Sequence, residues 1–433
     1  MAENITNNNN NNTEAAFLYS IPLISIITTT LITSKDLANG NVSGKYFWFY
    51  LSIGLVSASY LIISFIKKDR IRFGIVDVII LMLLPILLFA NLNTNATRLI
   101  LLILIILLIF YFRVFFYKNK KIVYWLSICY ILTGLIECIW GLRQLYGFEQ
   151  SQHILFLITG SFSNPGPYAC YIAVIFPMAF YYALKYHICY KVKFHFRNIS
   201  IYLLWGMSVL TVVSSILILP AAMSRTAWLA GIGGCGLILF YFFAKSKKVK
   251  SFAFRNRKIF ILAVSITVLL IIAGGYGMYK FKKDSADGRT FIWKNTVELI
   301  KQNPLGVGIG NFSGSYGHVQ AAYFESGKGT EDEKRVAGNP EYAFNEYLQI
   351  CAEQGIFVLL LFLGIIGYSL YVGIKRKKIA ATSSLLALLI AAGASYPFSV
   401  LPFLIVLVFL LALIHNGEKG ISVPKPEIGR AHV

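Results

Sequence analysis

Residues 340–355, PEYAFNEYLQICAEQG, carry Glu341, Glu346 and Glu353 with Asn345 and Gln349, and run directly into the apolar stretch FVLLLFLGIIGYSLYVG. Carboxylates at the edge of hydrocarbon are costly and usually mark function. They can take a proton from a hydroxyl or orient it for attack. Two arginines could complement them. Arg225 opens the apolar run of SRTAWLAG, and Arg289 lies in DGRTFIWKNTVELIKQNPLGVGIGNF. By itself Arg225 reads equally well as a cation reaching the lipid interface along its own stem. Together, two guanidinium forks and a carboxylate-rich segment suit an anionic, lipid-linked substrate, because each fork matches diphosphate oxygens.

The elements that must hold these groups are membrane helices. The chain has 433 residues, of which 57% are apolar and only 14% charged, with a mean hydropathy of +0.66. Its apolar runs approach the roughly 20 residues needed to cross hydrocarbon as a helix. They lack the ten-residue alternation of a membrane β-barrel. The expected fold is therefore an all-α polytopic membrane protein with about twelve transmembrane helices, at roughly 15–33, 46–66, 74–90, 98–116, 122–140, 167–184, 200–219, 226–244, 259–278, 343–373, 380–395 and 398–415. The first turns of 343–373 are expected to stand outside the bilayer. Residues 1–14, with their Asn run, read as a disordered cytoplasmic tail, 15–415 as the transmembrane domain, and 416–433 as a second cytoplasmic tail. MAENITNNNNNNTEAA has no basic n-region, so no cleavable signal is expected. Six cysteines lie in or beside apolar runs without CxxC or Cys/His pairing and read as small apolar filler.

Charge orients the chain. KKDRIR, RVFFYKNKK, KYHICYKVKFHFR, KSKKVKSFAFRNRK, KRKK and the C-terminal tail fall on alternate loops and hold 26 of the 40 Lys and Arg residues. The positive-inside rule puts both termini in the cytoplasm. The net charge of +21 reports that topology and contact with anionic lipid heads. Basic residues in short juxtamembrane clusters exclude a nucleic-acid partner. Ten of the nineteen acidic residues fall between Asp284 and Glu353, so function should concentrate on the large periplasmic loop 279–342 between spans nine and ten. Two shorter segments border it: GSFSNPGPYA, with Asn164, and SRTAWLAG. In the loop, Phe291, Ile292, Val297, Leu299 and Ile300 fit an amphipathic helix on the membrane surface. NPLGVGIGNF then ends it with a proline and three glycines, allowing close backbone approach. Glu137, near the outer end of span five, is either a polar contact between helices or part of a substrate cavity.

SRTAWLAG, then GRTFIWKNTVELIKQNPLGVGIGNF, then NEYLQICAEQGIF resemble, in that order, the bacterial O-antigen ligase / O-antigen polymerase superfamily (the Wzy-type ligase–polymerase domain). GSFSNPGPYACYIA is similar to that family's loop after the fifth span. The likeness covers about residues 130–370. It implies a GT-C-like glycosyltransferase of the bacterial inner membrane, a donor glycan on undecaprenyl diphosphate at the periplasmic face, and no metal cofactor. It implies an acceptor hydroxyl on lipid A-core, as in lipopolysaccharide ligation, on a growing polysaccharide, as in a polymerase, or on a protein, as in the O-oligosaccharyltransferases. By motif, Arg225 and Arg289 match arginines implicated in diphosphate binding, and Asn164 and Asn345 fall in the loop and acceptor-side motifs.

The sequence departs from the family where its catalytic histidine would stand. The family pattern is His-Asn, nine residues, then Gly; here it is Phe344-Asn345, nine residues, then Gly355. Phenylalanine cannot act as a base. Glu341 is the first replacement expected, on the same helical face as position 344 if the helix begins there. Glu346 would point about 200° away from that position, and His318 is the one histidine of the large loop. A transporter or flippase is the competing class, since twelve spans with both termini inside is also a transporter layout. The two halves of the chain, however, show no repeat of the motifs.

Overall fold

Backbone polar groups in hydrocarbon must be satisfied within the segment, and long apolar runs meet that demand as helices. The computed structural model describes residues 21–34, 36–66, 72–73, 77, 80, 95–118, 120–186, 199–246, 251, 255–257, 283–418 and 421–422. The tail 1–14, all of the expected span 259–278, nearly all of 74–90 and most of the tail 416–433 lie outside the described residues. The helices are α1 (Ile21–Leu31), α2 (Gly40–Ile66), α3 (Ala96–Lys118), α4 (Lys120–Leu145), α5 (Pro165–Tyr186), α6 (Ile199–Ala221) and α7 (Arg225–Lys245). After them come α8 (Lys283–Gln302), α9 (Phe312–Glu325), α10 (Glu331–Val336), α11 (Glu346–Gln354), α12 (Ile356–Lys375), α13 (Ile379–Ala392) and α14 (Leu401–His415).

Among the described residues, six helices are long and apolar enough to cross a membrane: α3, α4, α5, α6, α7 and α12. The expected spans 380–395 and 398–415 are helices of 14 and 15 residues. At 1.5 Å per residue these are about 21–23 Å long, short of the ~30 Å hydrocarbon core. Nearly every residue of both is buried, so they are apolar because protein surrounds them. The expected span 343–373 is divided: α11 ends at Gly355, whose φ of +86° breaks the helix before α12 begins. A two-residue antiparallel pair, Arg72–Phe73 with Ile421–Ser422, departs from a purely helical chain.

Helix α5 is the centre of the bundle. It packs against α6, α7 and α13, while α14 joins α13 to α3. Close approach at the centre depends on Gly234: a Cβ there would sit 2.4 Å from the Pro177 ring of α5 and 2.8 Å from the Ser383 carbonyl of α13. Small residues at helix contacts in membranes have this purpose. Glu137 resolves as a polar contact. It is fully buried and accepts from the Ser161 backbone N–H at 3.0 Å. Lys45 donates to the Ser161 carbonyl at 2.8 Å, and Gln144 accepts from the N–H groups of Thr159 and Gly160. The loop that leads to Asn164 is therefore fixed by side chains of α2 and α4.

Helices α8 to α11 form a separate layer around Leu299, Phe312, Tyr316, Val319, Ala343 and Ala352. The expected amphipathic helix exists as α8, but its apolar face is covered by this layer and not by a membrane surface. Phe291 and Leu299 are buried, and Ile292 and Ile300 pack on the cluster, while Val297 is exposed. The hydrophobic period was right, and tertiary contact supplied the partner.

The orientation expected from the charge pattern, with residues 283–342 outside and 245–258 inside, is open to a direct test. A thiol-reactive, membrane-impermeant reagent should label Ser326→Cys in intact spheroplasts and spare Ser251→Cys, both being exposed positions. Labelling of Ser251→Cys with protection of Ser326→Cys would reverse the orientation.

Candidate functional site

Helix α11 begins two residues after Phe344. Asn345 is its N-cap, and its side chain accepts from the Tyr347 and Leu348 N–H groups at 3.0 and 3.2 Å. To reach that cap the chain turns through Phe344 with φ +52°, a left-handed conformation. For a bulky residue this is an outlier costing on the order of 1–3 kcal/mol, sustained only where the surroundings over-determine it. They do so here. The Ala343 N–H donates to Gln349 at 2.6 Å, and its carbonyl accepts from Trp293 of α8 at 3.0 Å. The Tyr342 ring stacks on Tyr396 at 4.7 Å, and the Phe344 ring meets Tyr396 edge-on at 5.2 Å.

The Phe344 ring is thereby held under Arg289, whose guanidinium lies 5.5 Å above it. Such a contact is worth about 0.5–1 kcal/mol when exposed and about 2 when desolvated. Arg289 also donates to the Ala394 carbonyl at 2.7 Å and to the Thr226 hydroxyl at 3.4 Å. It joins α8 to the first turn of α7 and to the turn after α13. Arg225 is the first residue of α7, following Ser224, whose hydroxyl accepts from Ala227 N–H. The Cys170 thiol of α5 contacts the hydroxyls of Ser395 and Ser224 beneath Arg289. Burial, and then the neighbouring Arg225 charge, lowers the pKa of Arg289. Among the described residues no carboxylate pairs with it. Two cations are thus neighbours at the N-terminus of α7, and they repel one another.

The glycines of NPLGVGIGN serve the other end of α11. The N–H groups of Val307 and Gly308 donate to the carbonyls of Ala352 and Glu353 at 2.9 Å, and Ile356 N–H donates to Pro304. A Cβ on Gly306 would fall 2.5 Å from the Glu353 carbonyl oxygen, and one on Gly355 2.7 Å from the Leu305 backbone. Both residues have φ near +90°, so the contact requires glycine twice. The Gly-rich stretch is thus a cap for the last carbonyls of α11, not a ligand loop.

The structure sorts the sequence candidates. Arg225 and Arg289 come together although 64 residues apart in sequence. Glu341 is exposed and precedes the helix, so the expected shared helical face with position 344 does not exist. Its partner is the Tyr342 hydroxyl, which also meets Arg98. Glu346 is buried and turned to the bundle, where its Oε1 accepts from the Phe398 and Ser399 N–H groups at 2.5 and 3.2 Å. His318 is exposed on α9, and among the described residues it makes no contact with either arginine. Asn164 accepts from Gly166 N–H at the start of α5, a capping role like that of Asn345. Sequence reading missed Thr226, Cys170, Tyr396 and Arg98. Of these only Arg98 carried a signal, an arginine at the outer edge of a span beside an otherwise neutral loop.

Residues 210–363 match the family model described as O-antigen ligase. No curated protein matches the chain significantly. The matched region holds both arginines, Phe344 and the glycine cap; Arg98, Asn164 and the 394–396 turn that completes the site lie outside it.

Glu346 makes the layer sensitive to pH. Burial pushes its carboxyl from 4.5 to about 8, against the two N–H groups that favour the anion. The folded state therefore holds a proton that the unfolded chain releases above about 4.5. Its stabilising effect is full below that value and declines as pH rises to about 8. Thermal unfolding of the detergent-solubilised protein should lose stability over this window, and Glu346→Gln should flatten the decline. An identical slope in the variant would assign the effect to other groups.

Proposed function

From the premise that residues 210–363 are a domain of the O-antigen ligase and polymerase superfamily, whose activity is membrane glycan transfer, we propose that this chain passes a glycan from undecaprenyl diphosphate to an acceptor hydroxyl at the periplasmic face of the inner membrane. The observation that carries the reading is the nearness of Arg225 to Arg289, with Arg289 held over Phe344 and, among the described residues, without a carboxylate partner. The acceptor oxygen bonds to the anomeric carbon while the bond from that carbon to the diphosphate oxygen breaks. The leaving electron pair becomes charge on the diphosphate. Preorganised guanidinium groups stabilise that charge where it develops.

The hydroxyl proton needs another home. Phe344 cannot take it, and its ring instead fixes Arg289 from below. Glu346 and Glu353 are buried and committed to other partners. Glu341 is exposed, lies three residues before Phe344, and stands beside the Tyr342–Tyr396 stack that walls the arginine site. We assign it the role of base. The reading leaves ligase, polymerase and protein O-oligosaccharyltransferase chemistry alike, since they differ only in what carries the acceptor hydroxyl.

Arg225→Lys and Arg289→Lys keep the charge but lose the planar fork. Each should reduce turnover of the lipid-linked glycan by about a hundredfold, the usual cost of removing one oxyanion donor. Wild-type turnover in both Arg→Ala variants would eliminate this site.

Glu341→Gln keeps size and hydrogen bonding but cannot take a proton. It should slow transfer by about a hundredfold or more, while His318→Ala remains active. The reverse result would move proton abstraction to α9. Accumulation of the lipid-linked donor in cells reads both variants.

A further inference from the structure

The ends of α5 and α7 farthest from the two arginines carry a second pair of cations. Arg225 opens the 21 residues of α7 and Lys245 closes them. At 1.5 Å per residue the two lie about 30 Å apart, the thickness of a hydrocarbon core. Lys185 stands one residue before the end of α5, at the same membrane surface as Lys245. Both lysines are exposed, and aromatic rings fix where they point. Lys185 Nζ lies 5.6 Å from the centre of the Tyr181 ring and 5.0 Å from that of Tyr186. Lys245 Nζ lies 6.0 Å from the Tyr241 ring. Phe242 joins the two groups, stacking on Tyr181 at 5.9 Å and meeting Tyr241 edge-on at 5.6 Å. Tyr182 stacks on Tyr186 at 5.9 Å, and the Tyr186 hydroxyl meets that of Tyr124 on α4.

The two ammonium groups are neighbours and repel one another. Like charges held side by side need a counter-ion. Among the described residues no carboxylate pairs with either lysine. The sequence has no Asp or Glu between Asp77 and Glu137, nor between Glu149 and Asp284. The segments that flank α4 to α7 at this surface, 117–121, 187–198 and 246–258, therefore add Lys and Arg without a single acid. Within two turns of Lys245, Leu239 and Phe240 are 55% and 67% exposed. On a membrane-spanning helix those side chains face hydrocarbon. A pair of cations thus borders an apolar helix surface, with phenol hydroxyls as further donors.

We propose that the Lys185–Lys245 patch binds an anionic phospholipid of the leaflet opposite the arginines, the cytoplasmic one in the expected orientation. Its phosphodiester accepts from the two ammonium groups, and its acyl chains lie along α7. A free phosphate would meet the same cations but would gain nothing from the apolar surface beside them. The rings distinguish this patch from loosely tethered surface lysines, because they hold the ammonium groups in place before the lipid arrives. The site shares no residue with the arginine pair and does not depend on the transfer reading. Bound there, the lipid joins α5 to α7, whose other ends bring Cys170 and Arg225 to Arg289.

Full-length protein in dodecyl maltoside can be titrated with dioleoyl phosphatidylglycerol and, separately, with dioleoyl phosphatidylcholine and inorganic phosphate. Native mass spectrometry counts the bound lipid, and thermal melting reports its effect on the fold. Phosphatidylglycerol should bind and raise the melting temperature, and phosphatidylcholine and phosphate much less. Lys185→Gln and Lys245→Gln should each weaken phosphatidylglycerol binding by about fivefold, and together by about thirtyfold, the usual effect of lysines near anionic headgroups. Replacing both by arginine should keep it. Lys375→Gln, at the corresponding end of α12, removes a lysine outside the patch and should leave binding unchanged. Melting in phosphatidylcholine shows that each variant is folded, and the single variants decide the matter if the double one is not. Equal binding of the two lipids, or the same loss in Lys375→Gln, would overturn the proposal by spreading the attraction over the whole basic surface. Stabilisation by inorganic phosphate equal to that by phosphatidylglycerol would overturn it by assigning the patch to a free anion. Unchanged phosphatidylglycerol binding in both single Lys→Gln variants would overturn it outright.

Discussion

A guanidinium with no carboxylate partner among the described residues organises the layer of α8 to α11. Arg289 is half-buried, and among the described residues its charge meets a carbonyl, a hydroxyl and the face of an aromatic ring. These neutral partners place it without neutralising it. Each comes from a different part of the chain: Ala394 after α13, Thr226 in α7, and Phe344 before α11. The layer of α8 to α11 is docked on the bundle through this side chain, so the placement of the guanidinium and the packing of the fold are one constraint. A carboxylate in place of any of these groups would stabilise the arginine and remove the reason for an anion to bind.

The short helix α11 turns that constraint into a fixed distance. Asn345 caps one end and the glycine turn 304–308 caps the other. Glu346 ties its first turn to the 397–399 segment, and Glu353 with Gln349 ties its last turn to α9. Gln349 also reaches back to Ala343, beside the strained turn. Nine residues thus tie the turn at Phe344 to the 397–399 segment, the glycine turn and the start of α9.

Much of this was legible in the sequence, and the residues show why. Arg225, Arg289 and the acidic approach to residue 355 stood out because charge is rare in this chain and clustered on one face. The period of α8 was correct, but hydrophobic period does not say what covers a face. The shared wall of Tyr342, Phe344 and Tyr396 was invisible, because contacts over fifty residues leave no trace in local pattern. Glu341 and Phe344 were expected on one helix, whereas the Asn345 cap starts that helix later. A cap is a local signal, and Asn-Glu-Tyr at 345–347 could have been read as one. The glycines of 306–310 were read as allowing close approach, and that held; the partner, the end of α11, could not be known beforehand.

The left-handed turn at residue 344 belongs to the backbone around it and not to the phenylalanine that occupies it. Histidine is one of the side chains enriched in that conformation, whereas a large aromatic ring is poorly suited to it. Occupancy of the seat is therefore separable from its construction. A lineage could exchange an imidazole for a benzene ring there, or the reverse, by a single residue change, with the cap, the tryptophan contact and the docking of α8 left standing. The side chain in the seat could change its chemistry without disturbing the frame, because other residues hold the frame.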